Sequence, residues 1–276
     1  SIGFLFHAHE AQPMLAALTA HTAAYWGLFL LGRKPVAGAC YFGSALGLGF
    51  LANGLPPMLP LVPLAAFVVW RSEKRQQAAL LLVGSLLLAA ALGGAWLIAL
   101  LANSPDYLAA FWRSESTQLH ASAQPLVNLW GFVMMLPWYA WPAFPLAGWT
   151  LWAKRRQFTT RPLALPVVAF LMVLLGVSYC FGARSAPALL LLPPLVLLAV
   201  PGITSLRRGA ANAFDWFNMI TFSVFAGVVW VAWCATVFGW PERLARQASR
   251  LEPGFIGHLS IPAVGLALFG TAVWCW

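Results

Sequence analysis

The sequence predicts an all-α fold: a polytopic bundle of about nine transmembrane helices, forming a single domain over 1–276. Three observations predict it. Of 276 residues, 61% are hydrophobic and 8% charged, whereas a soluble domain carries about 25% charged residues. That leaves too little polar surface to coat a soluble globule and too much apolar surface for a disordered chain. Apolar runs bounded by charge, Pro or Gly also recur along the chain, at lengths near the ~20 residues that cross a bilayer. Finally, the barrel type of strand alternation is missing, and helices are the other way to span lipid.

The predicted spans cover 13–32, 36–53, 56–70, 77–102, 126–152, 163–182, 186–204, 216–239 and 258–276. Pro13 suits the first turn of the first span. The third is short and rich in proline (Pro56, Pro57, Pro60, Pro63), which predicts a broken or tilted helix. The fifth carries Trp138, Tyr139, Trp141 and Pro142 in its interior, a cluster that fits either a cavity for a lipid chain or sugar or an interfacial belt. Asp215 reads as the N-cap of the eighth span. Cys40, Cys180, Cys234 and Cys275 lie scattered in or beside apolar runs without metal spacing, and read as small buried apolar residues. The chain begins Ser-Ile-Gly and ends in an apolar run at Trp276, and so reads as an internal fragment of a longer protein.

Charge sets the orientation. The net charge is +9, but the basic residues sit in loops between spans and form no nucleic-acid face. Eleven of the 16 occupy alternate loops: Arg33 and Lys34; Arg71, Lys74 and Arg75; Lys154, Arg155, Arg156 and Arg161; Arg207 and Arg208. These loops are expected in the cytoplasm. The start of the chain and residues 53–56, 103–125, 183–186 and 240–257 then face outward. Most acids lie on that second side (Glu10, Asp106, Glu115, Glu242, Glu252), so any chemistry is expected there.

Five outward-facing features follow. His7, His9 and Glu10 precede the first span and are compact enough to offer ligands to a divalent metal or contacts to a phosphate-bearing substrate. Asn53-Gly54 followed by Pro56-Pro57 is a turn signal, with Asn53 and nearby backbone N–H groups facing either solvent or a head group. Residues 103–120 form the longest outer loop, amphipathic from Asp106 to Leu119. Tyr107, Phe111 and Trp112 make its apolar stripe, and Asp106, Arg113, Glu115 and His120 carry its polarity. Pro241 opens a short helix with Arg243, Arg246 and Arg250 on one face. Arg184 stands alone in an outer turn, placed either to snorkel or to clamp a phosphate.

Several stretches, taken in order, resemble the glycosyltransferase family 39 superfamily of polyprenyl-phosphate-sugar-dependent transferases, which includes lipid A aminoarabinose transferases and protein O-mannosyltransferases. His9-Glu-Ala-Gln-Pro-Met-Leu15 resembles the juncture before a family helix. Gly43-Ser-Ala-Leu-Gly-Leu-Gly-Phe-Leu-Ala-Asn-Gly-Leu-Pro56 resembles its Gly-rich helix ending in a Lys-Gly-Pro-like turn. Phe111-Trp-Arg-Ser-Glu115, followed by Leu136-Pro-Trp-Tyr139, resembles its outer loop and the span after it. Arg184-Ser-Ala-Pro-Ala-Leu-Leu-Leu-Leu-Pro193 resembles its Lys-x-x-x-Tyr-x-Leu-Pro segment. Asp215-Trp-Phe, Gly239-Trp-Pro and Leu251-Glu-Pro-Gly-Phe255 look like a bacterial subgroup. The chain departs from the pattern at Asn53, where the family has Lys, and at Gln12, where an acid is common, which leaves Glu10 as the nearest carboxylate.

The resemblance implies transfer of a sugar from a polyprenyl-phosphate donor to a lipid or protein acceptor on the periplasmic face. It implies a main catalytic acid upstream of Ser1. Donor or acceptor contacts would come from His9, Glu10, Gln12, Asn53, Arg113, Glu115, His120 and Arg184, with membrane lipids as the other partners. A divalent metal at His7, His9 and Glu10 is a candidate cofactor, not a requirement. Two other readings stay open: a transporter or lipid flippase without chemistry, and an enzyme like the O-antigen polymerases or ligases.

Overall fold

The computed structural model describes residues 2–7, 12–120, 124–157, 161–203, 205–206, 208–251 and 259–275. Among these every regular element is a helix. In order they are α1 (Ile2–His7), α2 (Pro13–Leu31), α3 (Pro35–Asn53), α4 (Leu61–Trp70), α5 (Arg75–Asn103), α6 (Pro105–His120), α7 (Pro125–Tyr139), α8 (Ala143–Ala153), α9 (Arg161–Cys180), α10 (Ser185–Ala188), α11 (Leu192–Ile203), α12 (Arg208–Phe238), α13 (Glu242–Leu251) and α14 (Ile261–Cys275). Short 3-10 turns follow α8 and precede α11. Proline opens α2, α3 and α7, where its missing N–H costs nothing.

Among the described residues six helical stretches are long and apolar enough to cross a membrane: Pro13–Leu31, Pro35–Asn53, Arg75–Asn103, Leu163–Cys180, Ser185–Ile203 and Arg208–Phe238. The last of these and α5 expose large apolar side chains such as Leu80, Leu87, Ile98, Val224 and Val229. That is the surface a helix presents to lipid.

The chain divides into two compact units, residues 1–205 and 206–276. In the first unit α2 and α3 run antiparallel at very close range. A Cβ on Gly27 would lie 2.7 Å from the Phe42 amide nitrogen, and one on Gly38 would lie 2.5 Å from that of Leu31. Small residues allow this backbone approach, the usual way helices gain contact where lipid supplies no hydrophobic drive. α5 runs parallel to α3, with Gly43 against Ser85, Gly47 against Leu92 and Gly93 against Phe50. The Ser85 hydroxyl donates to the Ala39 carbonyl at 2.9 Å and links the two helices. Ala17, Ala24, Phe42, Leu61, Leu64 and Leu189 to Leu191 form the fully buried centre.

The parallel pairing of α3 and α5 puts Arg33, Lys34, Arg71, Lys74 and Arg75 at one end of this unit. The turn at Gly54 and the start of α6 lie at the opposite end. Pro60 packs on Gly176, which brings the C-terminal end of α9 to the Gly54 end as well. Within this unit the Arg33–Lys34 and Arg71–Arg75 loops therefore lie at one end, together with the start of α9 at Arg161.

Three predicted boundaries are corrected. The span expected over 126–152 is two helices, because Pro142 lacks the N–H needed to continue the helix. Within it α7 follows a turn: Asn128, Gly131 and Tyr139 touch Ser178, Ala183 and Ser185 in succession. Its Trp138 is exposed while Tyr139 is buried, so the aromatic cluster does not face one cavity. The third span becomes helical at Leu61, after a run of turns holding Pro56, Pro57 and Pro60. It has 10 residues, half the usual crossing length.

In the second unit α12 begins at Arg208, so Asp215 lies inside a helix and is not its N-cap. α14 packs antiparallel on α12. Trp230 Nε1 donates to Thr271 Oγ1 at 3.1 Å and Trp274 Nε1 to Ser223 Oγ at 3.2 Å. α13 is the short helix predicted after Pro241. Its Arg246 lies 3.7 Å from Glu242, one turn earlier on an exposed face, a pairing of small energetic value.

Candidate functional site

The Gly54 turn organises its end of the first unit. α3 closes with the Gly54 N–H donating to the Phe50 carbonyl at 2.8 Å. Gly54 has φ 73° and ψ −167°, a region essentially restricted to glycine. The next donor, the Leu55 N–H, goes to Glu115 Oε2 at 2.7 Å. Pro56 and Pro57 have no N–H to place. The Pro57 carbonyl accepts from His21 Nε2 of α2 at 2.7 Å, inside a fully buried environment. The turn is thus held from two sides by side chains of α2 and α6.

α6 is the amphipathic helix predicted over Asp106 to Leu119, and its apolar stripe divides. Phe111 points inward, edge-on to Phe50 at 6.0 Å and to Trp96 at 5.2 Å between ring centroids. Tyr107 and Trp112 stay exposed. Glu115, one turn after Phe111, shares its inward face and is 4% exposed, the buried carboxylate among the described residues. Burial pushes its carboxyl above the usual carboxylate range, partly offset by the Leu55 N–H bond. Arg113 lies on the far face of α6, exposed, with its Nε donating to the Ala109 carbonyl. Two residues of separation turn a helix by about 200°, so Arg113 and Glu115 lie on opposite faces of α6.

From the turn a line of contacts continues around the same end. Asn53 Nδ2 reaches Met14 Sδ at 3.5 Å. Gln12 Nε2 pairs with His7 Nδ1 at 2.8 Å. The buried His7 ring lies 6.4 Å from that of Tyr139, which also covers Gly3. Tyr139 Oη donates to the Ser185 carbonyl at 2.6 Å. Arg184 precedes Ser185 in extended backbone, with its side chain exposed. Its main chain is therefore anchored at the neighbouring residue while its head group is open to a ligand.

His7, Gln12, Asn53, Glu115 and Arg184 thus share one end of the unit. His9 and Glu10 lie outside the described residues, as does the side chain of His120. His7 faces Tyr139 and Glu115 faces Leu55. Asn53 Nδ2 is directed to Met14, and the Leu55 N–H is taken by Glu115. Among the described residues no three His, Cys, Asp or Glu side chains cluster as a metal site would need. Reading the residues one by one missed the Glu115–Leu55 pairing. Its signal was present: Phe111 and Glu115 share a helix face, and Asn-Gly-Leu-Pro-Pro leaves one backbone donor over.

The fold and this polar end define a multi-pass helical membrane protein. The chain is 31% identical over 202 residues, 67% of its length, to the undecaprenyl phosphate-alpha-4-amino-4-deoxy-L-arabinose arabinosyl transferase of Aeromonas salmonicida (strain A449). It spans about a third of that relative, 35% of its length. No protein-family profile matches the chain, and no solved structure matches it.

Proposed function

We propose that this chain is the membrane-embedded part of a glycosyltransferase that takes a sugar from a polyprenyl-phosphate donor and passes it to a lipid or protein acceptor at the periplasmic face of a bacterial inner membrane. The observation that carries the reading is the 31% identity over 202 residues to a transferase whose name includes such a donor. The gathering of His7, Gln12, Asn53, Glu115 and Arg184 at the end away from the basic loops supports the choice of face.

Roles follow from geometry. Arg184, with an anchored main chain and an open guanidinium, is the group assigned to the donor phosphate, where it would stabilise charge on the departing lipid phosphate. Arg113 faces away from the turn and suits lipid head groups at the surface. Glu115 is already committed to the Leu55 N–H, so the role of general base that deprotonates the acceptor is not assigned to it. His7, His9 and Glu10 remain the candidate holders of a divalent metal, whose chemistry would be to orient and polarise a phosphate.

The test compares Arg184→Ala with Arg155→Ala in the intact protein at matched expression, measuring sugar transfer from an undecaprenyl-phosphate-linked donor. Arg155 lies at the basic end, over the Trp152 ring. Loss of one charge-assisted contact of about 1.5–3 kcal/mol predicts a drop of about ten- to a hundredfold in donor kcat/KM for Arg184→Ala alone. Equal activities would remove Arg184 from the donor site. A purified protein that moves lipid between leaflets but transfers no sugar would replace this reading by the flippase one.

A further inference from the structure

We propose that Glu115 is a positioning residue: its carboxylate latches α6 onto the Gly54–Leu55 turn and so fixes the roof of the polar end. The backbone inventory of the turn carries the argument. Buried main-chain donors are almost always satisfied. Gly54 N–H closes α3, Pro56 and Pro57 have none, and the Leu55 N–H is the donor left over. Glu115 supplies its acceptor from 60 residues away at 2.7 Å.

The fit is mutual. The absence of a Cβ at Gly54 makes room for the carboxylate, since a Cβ there would collide with Glu115 Oε1. His21 holds the far side of the same turn through the Pro57 carbonyl. α6 itself exposes Tyr107, Trp112 and Arg113, and its inward anchors are Phe111 and Glu115, one turn apart. The aromatic anchor holds this face of the helix against α3 and α5. The carboxylate is directional and pins that face to the Gly54–Leu55 turn.

The kinetic consequence of the latch rests on the transfer reading, whereas the latch has a readout of its own. Hydrogen exchange on the intact protein in detergent or nanodiscs, followed at residues 54–60 and 105–120, is compared for the wild type, Glu115→Gln, Glu115→Asp and Glu115→Ala. Gln keeps an acceptor of the same reach, whereas Asp keeps the charge and loses the reach. The latch predicts slow exchange at Leu55 and in α6 for the wild type and Glu115→Gln. It predicts exchange faster by about five- to a hundredfold for Glu115→Asp and Glu115→Ala, the range that leaving a buried donor without its acceptor supports. In transfer assays the same two variants should raise KM for the lipid-linked donor with little change in kcat, and Glu115→Gln should restore it.

Should Glu115→Ala prove too unstable to purify, Glu115→Asp against Glu115→Gln carries the comparison alone. Unchanged exchange in Glu115→Asp overturns the latch. Activity kept by Glu115→Asp and lost by Glu115→Gln also overturns it, and makes the charge itself the working group. Slow exchange in Glu115→Gln, fast exchange in Glu115→Asp and no transfer by any form, wild type included, would leave the latch standing and reject the transferase reading.

Discussion

Substituting Gly54 by alanine tests how the polar end is built. Two costs can be worked out. Gly54 has φ 73° and ψ −167°, and holding a residue with a Cβ there costs about 1–3 kcal/mol. The new methyl would also collide with Glu115 Oε1, so either the carboxylate leaves or the turn opens. Losing the bond from the Leu55 N–H to a carboxylate costs about another 1.5–3 kcal/mol. The expected destabilisation is about 2.5–6 kcal/mol, large for a single methyl group. Gly84→Ala is the control. It adds the same methyl to α5 where nothing lies within 4 Å, so it should stabilise the helix by up to about 1 kcal/mol. The assay is thermal unfolding of the intact protein in one detergent, in a double-mutant cycle with Glu115→Ala. If the carboxylate and the turn act as a pair, Glu115→Ala costs much less in the Gly54→Ala background than in the wild type. Additive losses, or a Gly54→Ala as mild as Gly84→Ala, would refute the reasoning.

Other outcomes follow from the same geometry. Burial holds the Glu115 carboxyl above its ordinary value near 4.5, so the folded protein keeps that proton to higher pH than the unfolded chain. The stability this contributes is complete below the unfolded value and lost as pH rises through the raised folded one. Glu115→Gln cannot ionise, so its unfolding temperature should fall less than that of the wild type across that interval; parallel pH profiles would remove Glu115 as the cause. Gly27→Leu should separate α2 from α3 and lower the yield of folded protein, whereas Gly94→Leu, in open space on α5, should not. Reporter fusions at Arg155 should read cytoplasmic and a fusion at Ser116 periplasmic; a cytoplasmic Ser116 would reverse the assigned face.

The long spans were legible because length and composition decide them. Runs expected at 13–32, 36–53, 77–102 and 163–182 correspond to α2, α3, α5 and α9 within two residues at each end. Proline and glycine punctuate their ends, and lipid demands that whole stretches be helical. The failures came where that demand is relaxed. The 126–152 run is apolar enough to read as one helix, but composition does not record that Pro142 ends the hydrogen-bond ladder while Pro137 is absorbed inside α7. Asp215 followed the rule that Asp caps helices. The helix instead starts seven residues earlier, since Gly-Ala-Ala-Asn-Ala-Phe is compatible with helix and offers no stop.

The site was less legible than the fold for a different reason. Outward acids were expected to meet ligands, because a carboxylate beside a membrane is most simply a surface group. Which face of α6 turns inward depends on what lies beneath it, and Phe50 and Trp96 come from two other helices. Once Phe111 packs edge-on against them, helical geometry carries Glu115 inward as well. A buried carboxylate then needs a donor, and the proline pair after Leu55 makes that N–H the one the turn has to spare. The pairing of Glu115 with Leu55 is therefore fixed jointly by residues 50, 54–57, 96, 111 and 115. No two of these are adjacent in sequence outside the turn itself, which is why a window-by-window reading sees an amphipathic helix and a turn but not their contact.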